Sequence, residues 1–242
     1  MTENRPGELV RQKAAVAENL KRIHENIAQA AVASGRNPAD IRLLAATKTM
    51  PPWLIAHAVA CGVDLIGENR VQELEEKYDV LKDLPAEHHF IGHLQTNKVK
   101  KMVDKVSCIQ SVSSVKLAAE IDKCCQNLQK TMPVLVEVNI GREQSKSGIW
   151  PEALEELLHQ ASRFNGLRVM GLMCIPPICE QKTQAQKFFY EIQKLFVDIR
   201  AKKIDNISME ILSMGMSDDY TEAIREGSTL VRIGTGLFGA RV

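Results

Sequence analysis

Three groups of side chains stand out chemically. The first is a single amine, Lys48, at the end of the apolar run Ile41-Arg-Leu-Leu-Ala-Ala-Thr-Lys48-Thr49, which Met50-Pro51-Pro52 cuts short. An ammonium there must reach water, meet an anion or give up its proton. Taken alone, a strand-end lysine leaning into solvent is the plainest reading. The second group is a pair of glycine-bearing loops, Ser213-Met214-Gly215-Met216-Ser217-Asp218-Asp219 and Gly234-Thr235-Gly236. Ser213 and Thr235 offer hydroxyls, while Gly215, Gly234 and Gly236 let backbone N–H groups approach an anion closely. Asp218 or Asp219 can cap a helix beginning there, with its remaining N–H groups turned to the anion. Ordinary glycine turns are the alternative. The third is Arg232, two residues before Gly234 and so on the same face of a strand. An inward guanidinium is costly unless paired: it faces a ligand, or it meets a carboxylate such as Glu137 or Glu210.

These residues are far apart in the chain, so the elements carrying them decide whether they meet. Residues 8–35 read as an N-terminal helix and its stop: Leu20, Ile23, Ile27, Ala30 and Ala31 recur at three- and four-residue steps, and Gly35 and Asn37-Pro38 follow. It precedes every strand, so it packs outside the barrel or closes one end. Short apolar runs then alternate with helical patterns. Strands are expected at 41–48, 63–67, 88–93, 106–112, 133–140, 167–175, 207–213 and 230–234. Helices are expected at 52–61, 69–81, 95–103, 113–129 with Ser113 as cap, 151–164, 182–202 and 219–226. Runs apolar at successive positions suit strands buried on both faces. Eight strands, each followed by a helix save the last, require parallel pairing and close a (β/α)8 TIM barrel. An open doubly wound sheet would show a glycine fingerprint after its first strand, and Thr47-Lys-Thr-Met-Pro-Pro is not one. No linker divides the chain, so a single domain over 1–242 is expected, with the barrel at 41–240. All strand ends open on one face, which gathers Lys48, Glu68-Asn69, His93, Asn139, Met173, Ser213 and Gly234-Thr235 at one mouth.

Composition narrows the class. Thirty-one Lys plus Arg against 30 Asp plus Glu leave a formal charge of +1, which gives no bulk attraction for nucleic acid or membrane. No window approaches the ~20 apolar residues of a membrane span, and the first residues lack the apolar core of a signal peptide. A cytoplasmic protein is expected. The six cysteines, Cys61, Cys108, Cys124, Cys125, Cys174 and Cys179, contain no Cys-x-x-Cys pair and read as reduced structural thiols. The histidines show no metal-ligand spacing.

An anion cradle, an inward arginine and a strand-end lysine suit one cofactor, pyridoxal 5′-phosphate. The lysine condenses with its aldehyde as a Schiff base, the loops hold the phosphate, and the arginine meets the pyridine nitrogen. Arginine cannot take up a proton, so the ring stays a weaker electron sink than it would be beside an aspartate. Condensation uses the unprotonated amine, which partial burial and neighbouring positive charge favour.

Five segments, in order, carry a resemblance: Ala46-Thr47-Lys48-Thr49, Ile66-Gly67-Glu68-Asn69, His89-Phe90-Ile91-Gly92-His93-Leu94-Gln95-x-Asn97-Lys98, Ser213-Met214-Gly215-Met216-Ser217-x-Asp219 and Val231-Arg232-Ile233-Gly234-Thr235. From about residue 8 to 240 the chain resembles the pyridoxal phosphate homeostasis protein family, short relatives of the alanine racemase barrel domain with the fold-type III arrangement. The resemblance implies that Lys48 carries the cofactor, that Ser213, Gly234 and Thr235 hold its phosphate, that Arg232 faces the ring nitrogen, and that Asn69 lines the pocket. With Met214 from the same loop, these seven are the expected cofactor-binding set, with no catalytic residue and no metal ligand. It further implies a cytosolic, usually monomeric carrier that supplies pyridoxal phosphate, with pyridoxal-phosphate-dependent apoenzymes as recipients, and no strong catalysis of its own.

A racemase needs a base on each face of the substrate carbanion. In the resembling racemases the second is a tyrosine from an added domain, and here the chain runs only a few residues past the eighth strand. Tyr78 and Tyr190 fall behind strands, Tyr220 reads as first-turn packing, and His93 is the better second proton carrier. Lys146, in the Ser145-Lys146-Ser147-Gly148 loop, is a second aldehyde or phosphate contact or a solvated loop lysine. Two other functions stay open: a working amino-acid enzyme (racemisation, transamination or slow elimination), and a cofactor-free aldolase in which Lys48 acts on a sugar phosphate beside Glu68 and Glu137.

Overall fold

The computed structural model describes residues 6–178 and 182–239 of the 242-residue chain. The alternation of apolar runs and amphipathic stretches becomes eight strands and the helices between them. In chain order these are α1 (Pro6–Ala33), β1 (Arg42–Ala46), α2 (Pro52–Ala60), β2 (Leu65–Glu68), α3 (Val71–Leu81), β3 (Glu87–Phe90), α4 (Val99–Met102) and β4 (Cys108–Val112). There follow α5 (Val115–Asn127), β5 (Met132–Val138), α6 (Leu154–Ala161), β6 (Leu167–Cys174), α7 (Lys182–Lys202), β7 (Ile207–Ser213), α8 (Tyr220–Arg225), β8 (Leu230–Ile233) and α9 (Thr235–Phe238). The strands pair in sequence order, all parallel, and β1 pairs with β8 to close the barrel.

Strand alternation sorts the side chains. Leu44, Ala46, Leu65, Ile91 and Leu230 fill the interior together with Cys108, Leu135 and Met173. Two residues further along four strands the inward position turns polar: Gln110 after Cys108, Glu137 after Leu135, Ser213 after Ile211, and Arg232 after Leu230. The barrel is thus an apolar plug with a polar layer toward its C-terminal mouth. The opposite parity packs outward against the helices.

The N-terminal helix lies outside the barrel, over the seam where β8 meets β1. Val16, Leu20, Ile23 and Ile27 of α1 share one apolar cluster with Leu43 and Ala45 of β1, Ile224 of α8 and Leu237 of α9. Asn19 Nδ2 donates to the Leu237 carbonyl at 3.0 Å, and Arg36 Nη1 donates to the carbonyls of Ile224 and Ser228 at 2.8 and 2.7 Å.

Several boundaries differ from the sequence reading, each for a local reason. The expected helix at 95–103 is a 3-10 turn, Thr96–Lys98, leading into the four residues of α4, because Val103 and Val106 must already be buried on the way to β4. The stretch from Pro151 likewise opens as a 3-10 turn, Pro151–Ala153, before α6. Ser114, not Ser113, caps α5: its Oγ accepts from the Leu117 amide at 3.2 Å, the three-residue spacing a cap requires. The short α9 was not anticipated. Among the described residues no helix is long and apolar enough to cross a membrane, and no group of His, Cys, Asp or Glu could hold a metal. Cys61, Cys108, Cys124, Cys125 and Cys174 are free thiols, and Cys179 lies outside the described residues.

Candidate functional site

β1 ends at Ala46, and Lys48 stands in the turn that follows, on the inward parity of Leu44 and Ala46. It is half-buried, and among the described residues no carboxylate or carbonyl takes its ammonium. Its neighbours are tightly held. Thr47 is buried; its amide donates to the Gly67 carbonyl at 2.9 Å and its hydroxyl to Glu68 Oε1 at 2.7 Å. β2 leads into Asn69, whose backbone crosses directly above Gly92. A Cβ on Gly92 would fall 1.9 Å from the Asn69 carbonyl oxygen, so only glycine permits this crossing. Asn69 Oδ1 is buried and makes no hydrogen bond.

Beside Lys48 on the closing seam, where β8 pairs with β1, the loops after β7 and β8 are sewn together by Ser217. Its Oγ accepts from the Thr235 hydroxyl at 3.1 Å and from the Gly236 amide at 3.0 Å, which leaves its own proton available. No acceptor among the described residues takes the amides of Gly215, Ser217 or Thr235. Gly215 sits at φ +91°, where a Cβ would meet Ala223 Cβ at 2.6 Å and Tyr220 Cα at 2.9 Å. Asp219 occupies the cap position of α8, yet its carboxylate turns back to the Met216 amide at 2.6 Å instead of capping the helix. The expectation of a helix cap is therefore corrected: this carboxylate shapes the loop.

Arg232 is 4% exposed, and burial pulls its pKa down. It makes no ion pair with Glu137 or with Glu210, the latter lying 3.9 Å from Arg168. Instead Nη1 donates to Ser213 Oγ at 2.7 Å and Nη2 to the Cys174 carbonyl at 2.8 Å. Ser213 passes its proton to Gln110 Oε1 at 2.7 Å; Gln110 Nε2 meets His89 Nδ1 at 2.8 Å; and His89 Nε2 lies 3.5 Å from Glu87 Oε2. Every donor points the same way, so a head-to-tail chain runs through the barrel from Arg232 to Glu87. Burial lowers the pKa of His89, consistent with a neutral ring accepting at Nδ1. At the end of the chain, the bonds from His89 and Arg42 pull Glu87 down to about 2 against the opposing effect of burial. Glu137, inward and beside Arg232, has the opposite fate. Burial pushes it up to about 7, the charge of Arg232 only partly offsetting this, and its Oε2 is buried without a partner.

Six of the seven expected residues, Lys48, Asn69, Ser213, Arg232, Gly234 and Thr235, thus fall on or just beyond inward strand ends. Met214 does not face the mouth: its side chain is fully buried in the outer core, its amide donates to the Leu230 carbonyl and its carbonyl accepts from Ser228 Oγ. Ser213 is at the mouth, but its proton is committed to Gln110, so its hydroxyl steadies Arg232. The sequence reading missed Ser217 and Gln110 as site residues, along with Glu73 and Lys77 of α3. Ser217 had a local signal, sitting one residue beyond Met216 in a glycine loop. Gln110 had only its polarity inside an apolar strand. His93 is exposed and tied to Ser147 Oγ at 3.0 Å, and Lys146 pairs with Glu143 at 2.6 Å and donates to the Pro176 carbonyl at 3.0 Å.

Among the described residues the mouth therefore combines an unpartnered amine, open amides on the neighbouring loops, a buried guanidinium with N–H groups to spare, and two buried oxygens without hydrogen bonds. That set fits a phosphorylated, ring-nitrogen-bearing aldehyde. Comparisons with known proteins agree with this chemistry. The sequence model described as alanine racemase, N-terminal domain, matches residues 18–242. A pyridoxal phosphate homeostasis protein of Aquifex aeolicus is 44% identical over 224 residues, 93% of this chain and 97% of that one. Its namesake in Pseudomonas aeruginosa is 38% identical over 226 residues, 93% and 96% of the two chains. Among solved structures, PipY of Synechococcus elongatus with PLP bound is similar at TM-score 0.81 and 31% identity, covering 93% of this chain and 100% of that one. The chain belongs to the pyridoxal phosphate homeostasis protein family, within the larger family defined by the N-terminal domain of alanine racemase.

Proposed function

We propose that the barrel mouth holds pyridoxal 5′-phosphate and that the protein serves the supply and homeostasis of this cofactor inside the cell. The observation that carries the reading is the half-buried Lys48, for which the described residues offer no partner, at the end of a strand paired with β8 and so beside loops whose amides have no acceptor among the described residues. When bound, the cofactor supplies an aldehyde that Lys48 takes as a Schiff base. The amides of Gly215, Ser217, Gly234 and Thr235, with the Ser217 and Thr235 hydroxyls, hold the phosphate. Met214 is the buried anchor of that loop. Arg232 has five N–H groups and spends two on protein acceptors, so its fork can still meet the ring nitrogen. Ser213, Gln110 and His89 fix the guanidinium where it stands, and Asn69 lines the ring with its open Oδ1.

The mouth holds little for proton transfer at carbon, which supports a carrier over an enzyme. The Tyr220 hydroxyl accepts from Asn26 on the outer face, Tyr190 is exposed on α7, and Tyr78 packs edge-on against His88 behind the barrel. We further propose a cytoplasmic monomer that hands the cofactor to pyridoxal-phosphate-dependent apoenzymes. One observation favours a second reading, a racemase-type or other low-rate amino-acid enzyme: Glu137 is an inward carboxyl with a pKa of about 7, suited to take and return a proton.

Absorbance and binding separate the contributions. Wild-type protein with pyridoxal phosphate is expected to show a near-visible Schiff-base band. Lys48→Ala is expected to lose it completely while still binding pyridoxamine 5′-phosphate, which shares the phosphate and ring. Loss of that binding too would show that the β7 and β8 loops contribute little. Turnover of amino acids at ordinary enzyme rates, abolished by Glu137→Gln, would replace the carrier with the second reading.

A further inference from the structure

The residues on either side of Lys48 are bound to one largely buried knot shared by Glu68 of β2 and Glu73 and Lys77 of α3. Lys77 is 8% exposed, and its ammonium donates to the Thr47 carbonyl at 3.0 Å, Glu68 Oε1 at 2.7 Å and Glu73 Oε2 at 3.0 Å. All three of its protons are thereby used. Glu68 Oε1 also accepts from the Thr47 hydroxyl, and Glu73 Oε2 accepts from the Thr49 amide at 2.6 Å. Residue 47 is held at its carbonyl and hydroxyl, and residue 49 at its amide. Lys48 lies between. The Thr49 backbone has φ 64°, a left-handed conformation that a β-branched residue rarely adopts. Such a conformation persists where surrounding contacts over-determine it, and it concentrates where a side chain must be aimed. The turn after β1 therefore has two requirements that the barrel alone does not meet: a carboxylate pair, Glu68 buried and Glu73 partly so, bridged by one buried ammonium, and a fixed unfavourable φ.

We propose that Lys77, together with Glu68 and Glu73, is a positioning residue for Lys48, clamping the backbone on both flanks so that the amine leaves the strand end toward the β7 and β8 loops. The clamp acts through the backbone of 47 and 49. It deepens the reading of Lys48 as the cofactor lysine, on which its cofactor arm rests. Its other arm concerns the free protein alone.

Glu73 is the handle for a test, since Lys77→Met leaves two carboxylates without their cation, a penalty that unfolding relieves. Glu73→Gln keeps an acceptor for the Thr49 amide, whereas Glu73→Ala removes it. In the free protein, hydrogen exchange at the Thr49 amide is expected to rise at least tenfold in Glu73→Ala and to stay within threefold of wild type in Glu73→Gln, with circular dichroism unchanged. With pyridoxal phosphate, Glu73→Ala and a folded Lys77→Met are expected to slow borohydride-trappable attachment at Lys48 at least tenfold. Glu73→Gln is expected to restore it to within threefold. Pyridoxamine 5′-phosphate affinity is expected to move less than twofold in all of them. Attachment within twofold of wild type in Glu73→Ala, or equal Thr49 exchange in both Glu73 variants, overturns the clamp. If wild-type protein forms no adduct at Lys48, the cofactor reading fails, and the Thr49 exchange still decides the clamp.

Discussion

The two sides of the barrel mouth are built on different physics. On the β1–β2 side the mount is ionic: Lys77, Glu68 and Glu73 form a largely buried knot behind Lys48. Within that knot burial pushes the Glu68 carboxyl up against the bonds from Lys77 and Thr47, while for Glu73 the bonds from Thr49 and Lys77 outweigh burial and its pKa falls. On the β7–β8 side there is no such knot. Glycines, two hydroxyls and backbone amides make the surface, and Arg232 is held by neutral groups. An amine that must approach one carbon benefits from a stiff mount, because misplacement of about 1 Å costs heavily in reaction rate. A phosphate with several equivalent oxygens is held well by amides whose geometry the backbone already sets.

The contrast can be broken most strongly at Gly215. An alanine there adds left-handed strain of about 1–3 kcal/mol and an overpacking cost of similar size against Ala223 and Tyr220. Thermal denaturation of Gly215→Ala is expected to show a loss of roughly 4 kcal/mol, with pyridoxamine 5′-phosphate affinity falling at least tenfold. An unchanged affinity would remove this loop from the anion side.

Glu137, between the two sides, gives a pH signature. Its carboxyl titrates near 4.5 in the unfolded chain and about 7 in the fold, so the folded state binds more protons between those values. Its contribution is complete below about pH 4.5 and is lost as pH rises through about 7, a span of roughly 3 kcal/mol. Glu137→Gln is expected to flatten that part of the stability profile; an identical profile in the variant would mean the carboxyl is solvated. Glu87, at the other end of the barrel interior, runs the other way: its pKa of about 2 gives stability above 4.5 that is lost as pH falls toward 2.

The smallest expected stability effect belongs to Arg232. Arg232→Met gives up two hydrogen bonds, worth about 1–3 kcal/mol where acceptors are left buried, but also relieves a buried guanidinium that no carboxylate pairs. The melting temperature of the free protein is expected to stay within a few degrees, while cofactor affinity falls at least tenfold. A collapse in stability with affinity retained would make Arg232 a structural residue.

What the sequence disclosed about this site follows the range of the interactions. Eight strands were legible because strands buried on both faces read as unbroken apolar runs, and the glycine loops were legible because their conformation is set by residues next to each other. Helix starts at Thr96 and Pro151 were misjudged, since burial of Val103 and Leu154 on the barrel decides where the turn tightens. In the sequence nothing sets Lys77 apart from the other charges of Glu73-Leu-Glu-Glu-Lys77, because its burial depends on a carbonyl 30 residues away. Gln110 joins partners 21 and 103 residues distant, a relation that no local pattern encodes. Arg232 was rightly read as inward; the carboxylate offered as one possible partner is not paired with it, and neutral acceptors take two of its N–H groups.

The central claim is that the barrel sets one particular amine beside an anion cradle, and peptide mapping tests it most directly. Protein loaded with pyridoxal phosphate, reduced with borohydride, digested and analysed by mass spectrometry is expected to carry the reduced cofactor on the peptide containing Lys48 in near-stoichiometric yield. Adducts spread over surface lysines such as Lys21 and Lys100, with Lys48 unmodified, would contradict the account.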